Sequence, residues 1–138
     1  MTCRLVLTAA AAAGLFVCAC VSPGDLTAGE TGGSAAPGHK NPIPADGKSL
    51  TAGRQVYTAN CADCHGPRGK GDGRMAKDLK KRPPDLTDPE VASEPDDVLF
   101  NRISRARKPM PSFEKLLTEQ ERWHVVNYLH KLAAAPAK

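Results

Sequence analysis

The feature that most constrains this chain is Cys61-Ala62-Asp63-Cys64-His65. Two thiols three residues apart lie about one helical turn from each other, and an imidazole follows at once. A dithiol redox site would need a βαβ setting, and no strand-like alternation surrounds the motif. A zinc site would need a fourth ligand, yet there is no second CxxC, and His39, His124 and His130 are distant in sequence. A c-type haem needs what is present, a thiol for each of two vinyl groups and a histidine for the iron. The motif is therefore read as a haem attachment site, with Cys61 and Cys64 as thioether donors and His65 as an axial ligand.

Such a site requires export, and the N-terminus supplies a signal for it. One cation, Arg4, precedes an apolar run from Leu5 to Val17 and then small residues and cysteines, a signal peptide too short to span a membrane. Its end, Val17-Cys18-Ala19-Cys20, resembles a bacterial lipoprotein signal, in which a small residue precedes the cysteine that is lipidated. Ala19 before Cys20 fits that pattern and Val17 before Cys18 does not. The favoured reading is lipidation at Cys20; ordinary cleavage after Ala19, leaving a soluble periplasmic protein, is the alternative. Val21 to Lys48 is rich in Gly, Pro and Ser with almost no large apolar residue, and reads as a flexible tether that includes a solvated His39. A coil of that length reaches roughly 25–30 Å. The expected organisation is a signal peptide at 1–19, a lipid-anchored linker at 20–48, a folded domain at 49–134 and a disordered tail at 135–138.

In the folded part, Ser49 is expected to cap a helix running to Asn60, with Gly53 placed for close approach of another helix beside Tyr57. Gly66, Gly69, Gly71 and Gly73 permit turns close to a flat cofactor. Arg68, Lys70, Arg74, Lys77, Lys80, Lys81 and Arg82 outnumber Asp72 and Asp78 in the same stretch. They form either a solvated face or a positive rim that steers an acidic redox partner. Pro83-Pro84 forces an extended path, and one of their two carbonyls is placed to orient the His65 ring. A second helix is expected from Ser93, with Pro95, Asp96 and Asp97 in its first turn.

Met110, bracketed by Pro109 and Pro111, cannot lie inside a regular helix, so its thioether projects from a stiff loop as the sixth iron ligand. Met75 is its rival. Thr118 and Glu121 make a capping box for the last helix, on which Val125, Tyr128, Leu129 and Leu132 form a stripe. Trp123 and Val126 fall off that stripe, so two faces should be buried. His124 and His130 are expected at the surface or rim.

From about residue 49 to 132 the chain resembles a small bacterial class I cytochrome c. The matching residues are Gly53 and Tyr57, Cys61 to Gly66, Gly69-Lys70-Gly71-Asp72-Gly73, Pro83-Pro84-Asp85-Leu86, Met110-Pro111-Ser112-Phe113, and Trp123 to Leu129. The resemblance implies an all-α fold of three to four helices around one haem c, with the first and last helices crossing where Gly53 and Tyr57 meet Val125 and Tyr128. It implies thioethers at Cys61 and Cys64 and axial ligation by His65 and Met110. The run Ser104-Arg105-Ala106-Arg107-Lys108 departs from it, since many members have a glycine before the methionine loop.

The function so implied is one-electron transfer on the periplasmic side of a bacterial membrane, without catalytic residues. The expected partners are redox proteins with acidic docking surfaces and, through the lipid, the membrane. A monomer is expected, and a net charge of +4 is too mild to argue for nucleic acid. The alternatives are a haem-based ligand-binding or sensing domain and a dedicated cytochrome subunit of a larger oxidoreductase.

Overall fold

A computed structural model describes residues 36–134. The signal peptide, the start of the tether, Cys20 and residues 135–138 lie outside the described residues. Five α-helices follow in order, α1 Gly47–Asn60, α2 Ala62–His65, α3 Pro89–Ser93, α4 Asp96–Ser104 and α5 Glu119–Ala133, with a 3-10 turn at Ala76–Asp78. Among the described residues there is no strand; only an isolated bridge pairs Arg107 with Met110. The expected all-α architecture is the observed one.

Two helix starts differ from expectation. Helix α1 begins three residues early because Asp46, not Ser49, is its cap, its carboxylate accepting from the Ser49 N–H at 2.8 Å. Ser49 instead points inward, where its hydroxyl meets His124 Nδ1 at 2.9 Å and accepts from Asn127 Nδ2 at 2.9 Å. The second helix is also split. Asp88 caps α3 with Pro89 in its first turn, so Ser93 closes that helix rather than opening one. Glu94 is extended, as the residue before a proline tends to be, and α4 starts after Pro95. At Thr118 the capping box forms as expected, with both reciprocal bonds present.

The frame of the domain is the crossing of α1 on α5. Gly53 lies against the His124 backbone, and the Tyr57 and Tyr128 rings stand 5.3 Å apart. Helix α5 buries two faces, since Trp123, Val125, Val126 and Leu129 are all within the core. Phe100 of α4 stacks on Trp123 with ring centroids 3.9 Å apart. Offset aromatic contacts of this kind add about 0.5–1.5 kcal/mol beyond area burial. Phe113, Ile103 and Leu99 complete the cluster, and Cys61 and Met110 pack against it from different sides of the chain.

The tether does not run free to residue 48. From Gly38 onward it is fastened to the domain. The Gly38 N–H donates to Asp97 Oδ2 at 3.1 Å, and the Asn41 N–H to Asp96 Oδ2 at 2.9 Å. Asn41 Nδ2 donates to the Trp123 carbonyl at 2.9 Å and to Asn127 Oδ1 at 3.0 Å. Ile43 packs on the core, and Asn127 Nδ2 returns a bond to its carbonyl at 3.0 Å. The sequence argument weighed apolar residues, whereas this segment is held by amide and carboxylate hydrogen bonds, which such counting misses. His39 is exposed, as expected of a solvated residue, with its ring 5.9 Å from Trp123. His124 and His130 are not free surface residues. Each is half-buried and engaged, His124 with Ser49 and His130 with Asp96 Oδ1 at 2.9 Å.

Candidate haem-attachment site

The CxxCH motif forms its own short helix. Cys61 ends α1, its N–H donating to the Tyr57 carbonyl at 2.8 Å, and its carbonyl then accepts from Cys64 at 3.2 Å and His65 at 2.9 Å. Both sulfurs and the imidazole are thereby set on one turn, all half-buried, with the two cysteines as free thiols. Gly66 ends the turn at φ 83°, a left-handed conformation that glycine adopts without a Cβ penalty. The buried Tyr57 hydroxyl donates to the Gly66 carbonyl at 2.7 Å, pinning the turn to α1. That link was missed at the level of sequence, where Tyr57 counted only as an apolar neighbour of the helix crossing.

The glycine loop braces the motif. A Cβ on Gly73 would sit 2.3 Å from the Asp63 carbonyl oxygen, and one on Gly71 would sit 2.3 Å from that of Pro83. These two glycines make room for backbone, and the turns expected of the loop form with Gly66, Gly69 and Gly71 at positive φ. The Met75 N–H donates to the Asp63 carbonyl at 2.8 Å, and Arg74 grips the Asp63 carboxylate with Nε at 2.7 Å and Nη2 at 2.6 Å. The fork holds the Asp63 carboxyl below its usual range. Because the pair is exposed, its contribution to stability is small.

Some of the loop's cations are consumed in this bracing. Lys70 reaches Thr87 Oγ1 at 2.7 Å and Asp85 at 3.7 Å, and Arg82 donates to the Gly71 carbonyl at 3.2 Å. Lys77, Lys80 and Lys81 are exposed and make no ion pair among the described residues.

Electrostatics separate the three chemistries that a CxxCH can serve. Burial, helped by the neighbouring Cys64, pushes the Cys61 thiol up to about 12. A dithiol redox centre requires the opposite shift. Among the described residues no group of three or more His, Cys, Asp or Glu side chains is placed to hold a bare metal ion. Burial lowers the His65 pKa, opposed by the Pro84 carbonyl, so the ring stays neutral and able to ligate. Of the two candidate carbonyls it is therefore Pro84 that acts on the ring, while Pro83 lies against Gly71. His65 Nδ1 is buried with no hydrogen bond of ordinary geometry. A Cys61 thiol held protonated by burial, a free Cys64 beside it and a neutral imidazole on the same turn fit covalent haem attachment.

Met110 sits on a different element, the loop between α4 and α5. That loop closes through the Arg107 and Met110 backbones, which exchange bonds at 2.8 and 3.0 Å. The Met110 side chain is half-buried against the core, whereas Met75 is 46 % exposed. Of the two methionines, Met110 is the one that packs against the core.

Comparison with known proteins gives a consistent result. Residues 48–129 match the family profile described as cytochrome C oxidase, cbb3-type, subunit III. A cytochrome c6 of Rippkaea orientalis is 36 % identical over 95 residues, covering 69 % of this chain and 81 % of that protein. The cytochrome c subunit of the quinone alcohol dehydrogenase of Gluconobacter oxydans is 36 % identical over 86 residues, but this chain spans only 18 % of its length. Among solved structures, a reducing HAO-like protein complex of Kuenenia stuttgartiensis superposes with a TM-score of 0.61 at 28 % identity, covering 66 % of this chain and 46 % of that one.

Proposed function

This chain belongs to the c-type cytochrome family described by subunit III of cbb3-type cytochrome c oxidase, and from that premise we propose how its residues handle the electron. It is an electron carrier with a covalently attached c-type haem, not an enzyme in its own right. The haem supplies an iron that gains and loses one electron. Cys61 and Cys64 would hold it through thioethers, and His65 and Met110 would ligate the iron. The protein's own task is to keep those ligands still in both oxidation states. Tyr57 fastens the motif at Gly66, Arg74 fastens it at Asp63, and the close approach of Gly73 fastens it at the Asp63 carbonyl. Methionine ligation favours the reduced iron relative to two histidines.

The single observation that carries this reading is the placement of both thiols and His65 on one turn, Cys61 capping the four-residue helix that holds Cys64 and His65, braced from three directions. The exposed Lys77, Lys80 and Lys81 beside the brace support docking of an acidic partner. The alternative of a ligand-binding or sensing haem requires an open sixth position. Spectroscopy and kinetics on the holoprotein test the choice. The ferric form is expected to show a far-red sulfur–iron band, the ferrous form to resist carbon monoxide at neutral pH, and Lys80→Glu with Lys81→Glu to slow reduction by the ascorbate anion at low but not high salt. Ready carbon monoxide binding by the wild type would transfer the reading to the sensing alternative. Service as a dedicated subunit draws support from the alcohol dehydrogenase relative, itself a cytochrome subunit.

For location, the signal-like N-terminus supports the periplasmic face of a bacterial membrane, anchored through lipid on Cys20. No helix among the described residues is long and apolar enough to cross a membrane. Cys20→Ser is expected to move the protein from the membrane fraction to the soluble one; unchanged fractionation, or no uptake of labelled fatty acid by the wild type, rejects the anchor.

A further inference from the structure

Arg122 of α5 has no solvent exposure. Taking a guanidinium out of water costs several kcal/mol unless its donors are met, and here few are. Nη1 donates to the Ser104 hydroxyl, and the guanidinium carbon lies 4.5 Å from the centre of the Phe100 ring. Nε and Nη2 are buried without a hydrogen bond. Burial pulls its pKa down against the pull of Glu114 and Glu119. An apolar side chain of similar volume often serves a core as well or better. Stability alone is thus a poor account of a cation in this place.

What the guanidinium's hydrogen bond to Ser104 holds is more telling. Ser104 is the last residue of α4, and it is completely buried. Its hydroxyl donates to the Phe100 carbonyl at 2.8 Å, leaving an oxygen lone pair for Arg122. Its carbonyl accepts from the Ser112 hydroxyl, and the adjacent Ile103 carbonyl accepts from the Phe113 N–H at 3.2 Å. Ser112 and Phe113 are where the loop containing Met110 comes back to the core. The loop therefore closes on two consecutive carbonyls at the end of α4, and Arg122 grips that end.

We propose that Arg122 is a positioning residue for the Met110 thioether, acting through Ser104 and Ser112. The proposal rests on Met110 as the sixth ligand. Under it, Arg122 gives the Met110 loop a fixed point of return, two residues past Met110.

The test uses the full-length holoprotein and reads the far-red sulfur–iron band of the ferric form, imidazole affinity, covalent haem by mass, and thermal melting. Met110→Leu is expected to abolish the band. Arg122→Met is expected to lose at least half of it and to bind imidazole at least tenfold more tightly, with covalent haem retained. Arg122→Lys, which keeps the charge without the fork, should fall between that variant and the wild type, and Ser112→Ala should lose part of the band. If Arg122→Met does not fold, Arg122→Lys and Ser112→Ala decide. Full bands and unchanged imidazole affinity in these variants, even with a lowered melting point, would overturn the proposal while leaving the ligand in place. A band that survives Met110→Leu would instead remove the ligand reading, and the proposal with it.

Discussion

Serine at both Cys61 and Cys64 is expected to abolish covalently held haem, so that the mass of the denatured protein falls to that of the bare polypeptide. The expectation follows from geometry and chemistry together. The two sulfurs lie on one helical turn, both are free thiols, and neither has another covalent partner. A serine hydroxyl keeps nearly the same size but cannot form a thioether, so folding of the short helix is not what is being tested. Each single variant should retain haem through the remaining sulfur. Loss of the cofactor should also lower the melting temperature, because a group bound to the folded state alone stabilises it. The domain offers a small core in which Cys61 and Met110 lie at the edge, so little else can make up that contribution. Covalent haem in the double variant would refute the attachment site.

The second large effect is expected at Gly53. A Cβ built there falls 2.1 Å from the His124 carbonyl oxygen and 2.9 Å from Tyr128 Cβ. The first of these is helix backbone, which cannot rotate aside as a side chain could. Gly53→Ala should gain about 1 kcal/mol from helix propensity. Forcing α1 and α5 apart costs more, since overpacking a filled interface typically costs about 1–3 kcal/mol and this overlap is severe. A net loss of roughly 2 kcal/mol is expected in chemical denaturation, and a greater loss for Gly53→Val. In a domain of this size that corresponds to a fall of about 8–16 °C in melting temperature. Gly47→Ala is the control. It lies on the same helix with nothing within 4 Å of the added carbon, and it should be neutral or slightly stabilising. Equal behaviour of the two variants would show that the crossing is looser than the geometry implies.

Much of the site was legible in the residues because its parts are local. Cys61, Cys64 and His65 meet on one turn by spacing alone, and the Pro109-Met110-Pro111 bracket excludes a helix around the methionine without reference to the fold. The capping box at Thr118 is likewise a local pattern, and it formed. What failed was of another kind. Ser49 looked like a cap, but a neighbouring carboxylate took that position and left the serine to His124 and Asn127. Ser93 looked like a helix start until Asp88 and Pro89 supplied a better one upstream. His124 and His130 were expected at the surface or rim, and both are half-buried, but their partners, Ser49 and Asp96, lie 75 and 34 positions away and could not be read from the residues around them.

The same division runs through the whole chain. Sequence by itself marked the chemistry: a CxxCH motif spaced for haem attachment, a methionine barred from a helix by its prolines, and a glycine inside a helix that asks for a reason, since each is legible from residues within a turn or two. Only the tertiary structure decided how that chemistry is held. It fastened residues 38–43 to α4 and α5, turned Tyr57 into an anchor for Gly66, chose Pro84 over Pro83 for the His65 ring, and buried Arg122 at the end of α4. Each of these is a hydrogen bond or close approach between distant segments, and such contacts are set by how the helices pack, which no local pattern of residues records.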